Sequence, residues 1–178
     1  GRAYPHGTLG LCNIVTLSRL ALTAALFAPL VSGGDAQWAI FATAALALSL
    51  DGVDGWLARR AGLVSKFGAR FDMEVDSALA LVLALLAWSS GSAGAVVLVL
   101  GVPRYLFAAA GFVAPWLRAP LPDRFSRKAV CVLQLGTLIA VQLPFVTQDM
   151  TRLAVPLVAA ALAWSFARDV ICLWRARA

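Results

Sequence analysis

The chain has 178 residues, 61% of them hydrophobic and only 13% charged, with a formal net charge of +6. A soluble domain carries about 25% charged residues, so the composition argues for one membrane domain over residues 1–178 and against a soluble domain beside it. The positive charge argues against nucleic-acid binding by its placement, because basic residues sit at the ends of apolar runs and in short connections.

Six apolar segments follow in chain order, at 12–31, 37–58, 70–89, 93–114, 129–146 and 153–174. A hydrocarbon core of about 30 Å is crossed by about 20 apolar residues. The expected fold is therefore an all-α integral membrane protein of about six transmembrane helices. Gly, Pro and Ser mark the breaks at 32–35, 59–68, 89–92, 115–128 and 147–152.

Six spans make the connections alternate between the two sides. One side then receives Arg2, Arg59, Arg60, Lys66, Arg70, Arg118, Arg124, Arg127, Lys128, Arg175 and Arg177, and the other only Arg152. The positive-inside rule places both termini and the second and fourth connections in the cytoplasm. The expected location is a bacterial inner membrane.

Arg19, Arg104 and Arg168 fall inside apolar segments. A charge at membrane depth costs a few kcal/mol or more, so it faces a polar cavity or a partner. Near a span's end it instead extends to the interface. Pro103 beside Arg104 is expected to kink the fourth helix. Cys12, Cys131 and Cys172 form no metal-ligand pattern with the lone His6 and read as small apolar packing residues.

The chemistry concentrates between Leu50 and Ser77, which holds Asp51, Asp54, Asp72, Glu74 and Asp76 of the nine acidic residues in the chain. Asp51 and Asp54 are three apart at the end of the second span, and Asp72 and Asp76 four apart at the start of the third. Each spacing puts a pair on one helix face. A short connection makes the two helices antiparallel neighbours, so four carboxylates converge at the cytoplasmic edge of the bilayer. Crowded carboxylates repel, and bound cations relieve that repulsion. Oxygen-only ligands suit Mg²⁺ or Mn²⁺. Such ions bridge phosphate oxygens and stabilise charge in displacement at phosphorus. Glu74, about 200° from Asp72 around the helix, points away from this face. Gly52 and Gly55 permit close approach of a ligand or of a neighbouring helix. Gly68 is expected at the opening of the third helix.

These residues resemble the CDP-alcohol phosphatidyltransferase family. Its signature is D-x-x-D-G-x-x-A-R, eight residues, then G-x-x-x-D-x-x-x-D. Asp51, Asp54, Gly55, Ala58, Arg59, Gly68, Asp72 and Asp76 fill all eight fixed positions across 26 residues. The resemblance implies two metal ions held by Asp51, Asp54 and Asp72, with Asp76 beside them as ligand and general base. It implies a nucleotide pocket shaped by Gly52, Gly55, Ala58, Arg59 and Gly68. Asn13, Thr16 and Arg19 match an Asn, Thr and Arg that family members often carry in the first span; spaced three apart, the three can share a face and would act on the nucleotide side. Cys12 stands where a proline often precedes that Asn.

The implied reaction is attack by an alcohol on CDP-diacylglycerol or another CDP-alcohol, with release of CMP. Arg104, Arg124, Arg127, Lys128 and Arg168 are candidates to bind the acceptor, which favours a phosphorylated polyol such as inositol phosphate or glycerol phosphate. Serine as acceptor, and a CDP-alcohol donor with diacylglycerol as acceptor, are the alternatives within the family. The resemblance also implies a homodimer. A divalent-cation channel is the competing class, but it needs carboxylates along a continuous path. A non-catalytic membrane protein is a third reading, and the complete set of signature aspartates argues against it.

Overall fold

The computed structural model describes residues 11–33, 36–61, 66–119, 121 and 124–177; the side chains of 11–13, 54–61, 66 and 67 lie outside that description. Among the described residues the protein is all-helical. In chain order the α-helices are α1 (Leu11–Ala25), α2 (Phe27–Ser32), α3 (Gln37–Ala61), α4 (Lys66–Ser89), α5 (Leu98–Gly101), α6 (Pro103–Val113), α7 (Phe125–Ala140) and α8 (Gln148–Arg175). Short 3-10 turns at Ala95–Val97 and Pro115–Arg118 precede α5 and follow α6.

Two helical stretches are long and apolar enough to cross a membrane, Ile14–Ser32 and Gln148–Arg175, and a third if the bent pair Ala95–Gly101 and Pro103–Val113 is one span. The apolar part of α3 runs over Gln37–Val53. In α4, Lys66, Arg70, Asp72, Glu74 and Asp76 all fall in the first half of a 24-residue helix whose second half is apolar. The charges that make the site therefore reduce the apolar signal of the helices that carry it.

Prolines account for the two breaks inside apolar segments. Pro29 removes a backbone donor and crowds the carbonyl of Ala25, and the chain turns at Leu26 between α1 and α2. Gly33 ends α2 with φ of 66°, its N–H bonded to the Pro29 carbonyl. Pro103 opens α6 after a bend of 60° from α5, the kink expected beside Arg104.

Helix ends differ from the sequence expectation at three places. α4 begins at Lys66, so Gly68 lies inside its first turn rather than opening it. α7 covers Phe125–Ala140 rather than 129–146. It stops there because Pro144 disfavours helix for the residue before it, and the chain turns over 141–145. α8 begins at Gln148, inside the expected break, because the Thr147 hydroxyl accepts from Met150 N–H and Asp149 sits in the first turn.

α4 is the central helix. Leu79, Leu83 and Ala84 are buried, and α1, α5 and α7 all pack on α4. Gly101 permits the closest approach: a Cβ there would stand 2.9 Å from the Ala84 Cβ and 3.0 Å from the Leu81 backbone. Gln142 is a buried polar group whose Nε2 donates to the Leu83 carbonyl at 2.9 Å, tying the end of α7 to α4. Large apolar side chains such as Phe112, Val113, Leu153, Leu157 and Trp174 point outward, as a surface facing lipid tails would.

Candidate functional site

The acidic cluster forms where α3 and α4 both pack on α1; among the described residues α1 joins the two helices more than any direct contact between them, which corrects the expectation of an antiparallel neighbour pair. Asp51 comes from α3, and Asp72 and Asp76 from one face of α4. One oxygen of each lies within 4.8 Å of the others. All three side chains are half-buried.

Arg19 reaches this cluster from α1. Its side chain is 0% exposed. Nη1 pairs with Asp51 Oδ1 at 2.9 Å and with Asp72 Oδ1, and Nη2 pairs with Asp76 Oδ1. Nε donates to the Ala47 carbonyl on α3 at 3.2 Å. One guanidinium thus fastens three helices. The pairing serves both partners. Two like charges 4 Å apart repel by about 4 kcal/mol at an effective dielectric of 20. A buried arginine without partners costs several kcal/mol.

Three carboxylates and one guanidinium leave the cluster with a formal charge of −2. All of its protein donors are hard oxygens, which fits Mg²⁺ or Mn²⁺ and not zinc or copper. Three protein oxygens also leave coordination positions for phosphate oxygens and water.

The other signature positions surround this cluster. Asp54, Gly55, Ala58 and Arg59 fall on α3 beyond Asp51, and Asn13 on α1, with their side chains outside the described residues. Thr16 is buried on α1, three residues before Arg19. Gly68 lies on α4, four residues before Asp72. A Cβ at Gly52 would meet no protein atom within 4 Å, so helix packing does not require a glycine there.

The basic candidates divide into groups. Arg124, Arg127 and Arg168 line one recess between the start of α7 and the end of α8, with Ser126, Trp164, Ser165 and Asp169. The Arg168 guanidinium lies 4.8 Å from the centre of the Trp164 ring. Arg127 Nε is 3.8 Å from Asp169 Oδ2, and Asp169 is buried. Lys128 is exposed on α7 outside the recess lining. Arg104 also stays outside that lining, and its Nη2 pairs with Glu74 Oε1 at 2.7 Å on the face of α4 turned away from the aspartates.

Acidic cluster and basic recess are neighbours. α7 carries Arg127 of the recess, and Cys131 lies one turn after it. α7 packs on both α4 and α8.

One residue of the site, Asp169, escaped the sequence reading, and a second, Arg19, was expected on the nucleotide side rather than among the aspartates. Arg19 was visible as a charge in an apolar helix, but nothing local showed that it joins the aspartates. Asp169 was overlooked as an acid in the last apolar segment, although an ionisable residue inside a span is by itself a signal of function.

No curated protein and no solved structure matches the chain. The family model described as CDP-alcohol phosphatidyltransferase matches residues 9–167, which takes in α3, α4, the recess residues of α7 and Arg19 itself. The chain belongs to the CDP-alcohol phosphatidyltransferase family.

Proposed function

We propose that this protein joins a phosphorylated polyol to the phosphatidyl group of CDP-diacylglycerol at the cytoplasmic face of a bacterial inner membrane, releasing CMP. Membership of the family carries the coarser statement, transfer of a phosphatidyl group from a CDP-alcohol to an alcohol in a lipid setting. The observation that favours a phosphorylated acceptor is the recess of Arg124, Arg127 and Arg168 beside the acidic cluster. Guanidinium groups bind phosphate oxygens through charge-assisted hydrogen bonds, often two at once. A neutral alcohol such as diacylglycerol would leave this charge unanswered.

Asp51, Asp54, Asp72 and Asp76 would hold two Mg²⁺ or Mn²⁺ ions. When bound, these ions offset charge on the diphosphate and on the departing CMP. Asp76 takes the proton from the acceptor hydroxyl as its oxygen attacks the phosphorus that carries the diacylglycerol. The new P–O bond forms, the bond from that phosphorus to the bridging oxygen breaks, and CMP leaves with the electron pair. Gly52, Gly55, Ala58, Arg59 and Gly68 shape the nucleotide pocket, with Asn13 and Thr16 on its α1 side. The open space at Gly52 suits a ligand that approaches the backbone. Lys128 and Arg104 add positive charge around the acceptor path.

The whole chain forms one membrane domain in this reading. Its six segments are α1 with α2, α3, α4, the bent α5–α6 pair, α7 and α8, with both termini cytoplasmic. The distribution of Lys and Arg over the connections supports that orientation. The protein works as a homodimer.

The test is CMP release by purified protein with CDP-diacylglycerol, Mg²⁺ or Mn²⁺ and a panel of alcohols. Release with inositol phosphate or glycerol phosphate, and not with inositol, glycerol or serine, is the expected result. Release with serine alone, or only from a CDP-alcohol with diacylglycerol as acceptor, would refute the phosphorylated-polyol assignment.

A further inference from the structure

We infer that Arg19 is a resident counter-cation of the acidic cluster, which holds the carboxylates together in the metal-free protein and competes with the first divalent ion for them. The inference rests on the reading of Asp51, Asp72 and Asp76 as metal ligands.

Three observations carry it. The first is shared oxygens. Arg19 engages an oxygen of every carboxylate in the cluster, and Asp51 Oδ1 and Asp72 Oδ1 converge on the single atom Nη1. Mg²⁺ sits about 2.0–2.1 Å from its ligand oxygens. An ion held by these same oxygens competes with Nη1 for their lone pairs and meets its positive charge at short range.

The second is burial with a tether. Arg19 is fully enclosed and its Nε is held by the Ala47 carbonyl. The side chain itself does not reach solvent and ends on the carboxylates, which removes the snorkelling role that its place in the first apolar segment allowed. Its charge is answered inside the site.

The third is charge. The carboxylates converge from two helices and need a cation whenever no metal is bound. Among the described residues Arg19 sets one positive charge against three carboxylates, so the site keeps a net negative charge that attracts a divalent ion. The metal-free site is thereby kept assembled, and the ion binds more weakly than it would to the bare carboxylates. Arg19 acts here as a positioning residue, through the aspartates.

The experiment is Mn²⁺ titration, followed by electron paramagnetic resonance, of the full chain in detergent. Thermal unfolding is measured with and without Mn²⁺. The variants are Arg19→Gln, Arg19→Lys and, as a control for the site, Asp72→Asn. Arg19→Gln is expected to bind Mn²⁺ roughly tenfold tighter or more, because a positive charge has left the ion's immediate surroundings. It is also expected to melt lower without Mn²⁺ and to recover that loss when saturated. Arg19→Lys keeps the charge and should bind Mn²⁺ more weakly than Arg19→Gln.

Equal or weaker Mn²⁺ binding by Arg19→Gln would overturn the inference, since a residue that only organises the fold would lower affinity when removed. If Arg19→Gln folds only in the presence of Mn²⁺, ion and guanidinium are interchangeable and the inference stands. If Arg19→Gln and Arg19→Lys both fail to fold even with Mn²⁺, no ion replaces the arginine and the inference falls. A different result separates it from its premise: if neither wild type nor Arg19→Gln binds Mn²⁺ in a way that Asp72→Asn abolishes, the metal reading itself fails and takes the inference with it.

Discussion

At the α3–α4 end, three carboxylates surround one buried arginine; in the α7–α8 recess, three arginines accompany one buried carboxylate. The two regions are near mirror images in composition and differ in how tightly the minority charge is used. Arg19 contacts all three aspartates directly, at 2.9 Å from Asp51. Asp169 stands 3.8 Å from Arg127, and Arg168 turns its guanidinium to the Trp164 ring. The acidic region is closed around its own counter-ion, whereas the basic one keeps an excess of positive charge toward an incoming anion. The difference teaches that residue counts do not reveal which charged cluster is internally satisfied; the distances do.

The sharpest test of the comparison is to neutralise one member of the acidic region. Asp76→Asn removes the proposed base and one partner of Arg19, while Asp51 and Asp72 remain as ligands. Turnover is expected to fall by about 10²–10⁴-fold, the range for loss of general base catalysis. Mn²⁺ and nucleotide binding should persist at least in part. Normal CMP release by this variant would remove Asp76 from the chemistry.

The matching change in the basic region should act on binding rather than on chemistry. Arg168→Ala is expected to raise KM for a phosphorylated acceptor by about 10–100-fold, as loss of a charge-assisted hydrogen bond does, with kcat changed far less. Initial rates at varied acceptor concentration separate the two. A fall in kcat with KM unchanged would place Arg168 with the transition state and erase the division of labour between the regions.

The acidic region was readable in the sequence and the basic one only partly, for a physical reason. Asp51 lies ten residues before the end of α3 and Asp76 ten residues after the start of α4, so local spacing and one short connection set them at one level, while the packing of both helices on α1 brings them together. Arg19 joins Asp51 across 32 residues of chain, and Asp72 and Asp76 across 53 and 57, through the packing of α1 on α3 and α4. No local pattern encodes that contact, and a lone arginine in an apolar helix reads equally well as one reaching the interface. Arg124, Arg127 and Arg168 were visible as charges, but their meeting depends on α7 lying against α8. Arg104 carried the same sequence signal and instead pairs with Glu74, because the chain bends by 60° before α6. The all-helical character of the chain was readable in its apolar segments. Their ends were not, since Thr147 and Pro144 act through single capping and steric effects that hydropathy averages away.

A substitution away from both regions tests whether they depend on the central packing. Gly101→Ala places a Cβ against Ala84 and the Leu81 backbone, where something must shift. A cost of about 1–3 kcal/mol in stability is expected, as for other overpacked positions. Chemical unfolding of the purified protein measures it. Mn²⁺ affinity and acceptor KM should stay near the wild-type values, because Gly101 contacts α4 well past Asp76. A large change in either would mean that α5 transmits strain along α4 into the site.

The smallest expected effect bears most directly on the two minority charges. Asp169 is buried, yet its 3.8 Å separation from Arg127 is long for a hydrogen bond. Its influence is then mainly that of charge, offsetting part of the field of three arginines. Asp169→Asn should strengthen that field and lower KM for a phosphorylated acceptor by about twofold to fivefold, with steeper weakening as salt is raised. An unphosphorylated alcohol should show no such gain. The opposite result, a higher KM, would mean that Asp169 holds Arg127 in place as Arg19 holds the aspartates. The recess would then be as internally fastened as the acidic cluster, and the contrast between the regions would lie only in the sign of their charge.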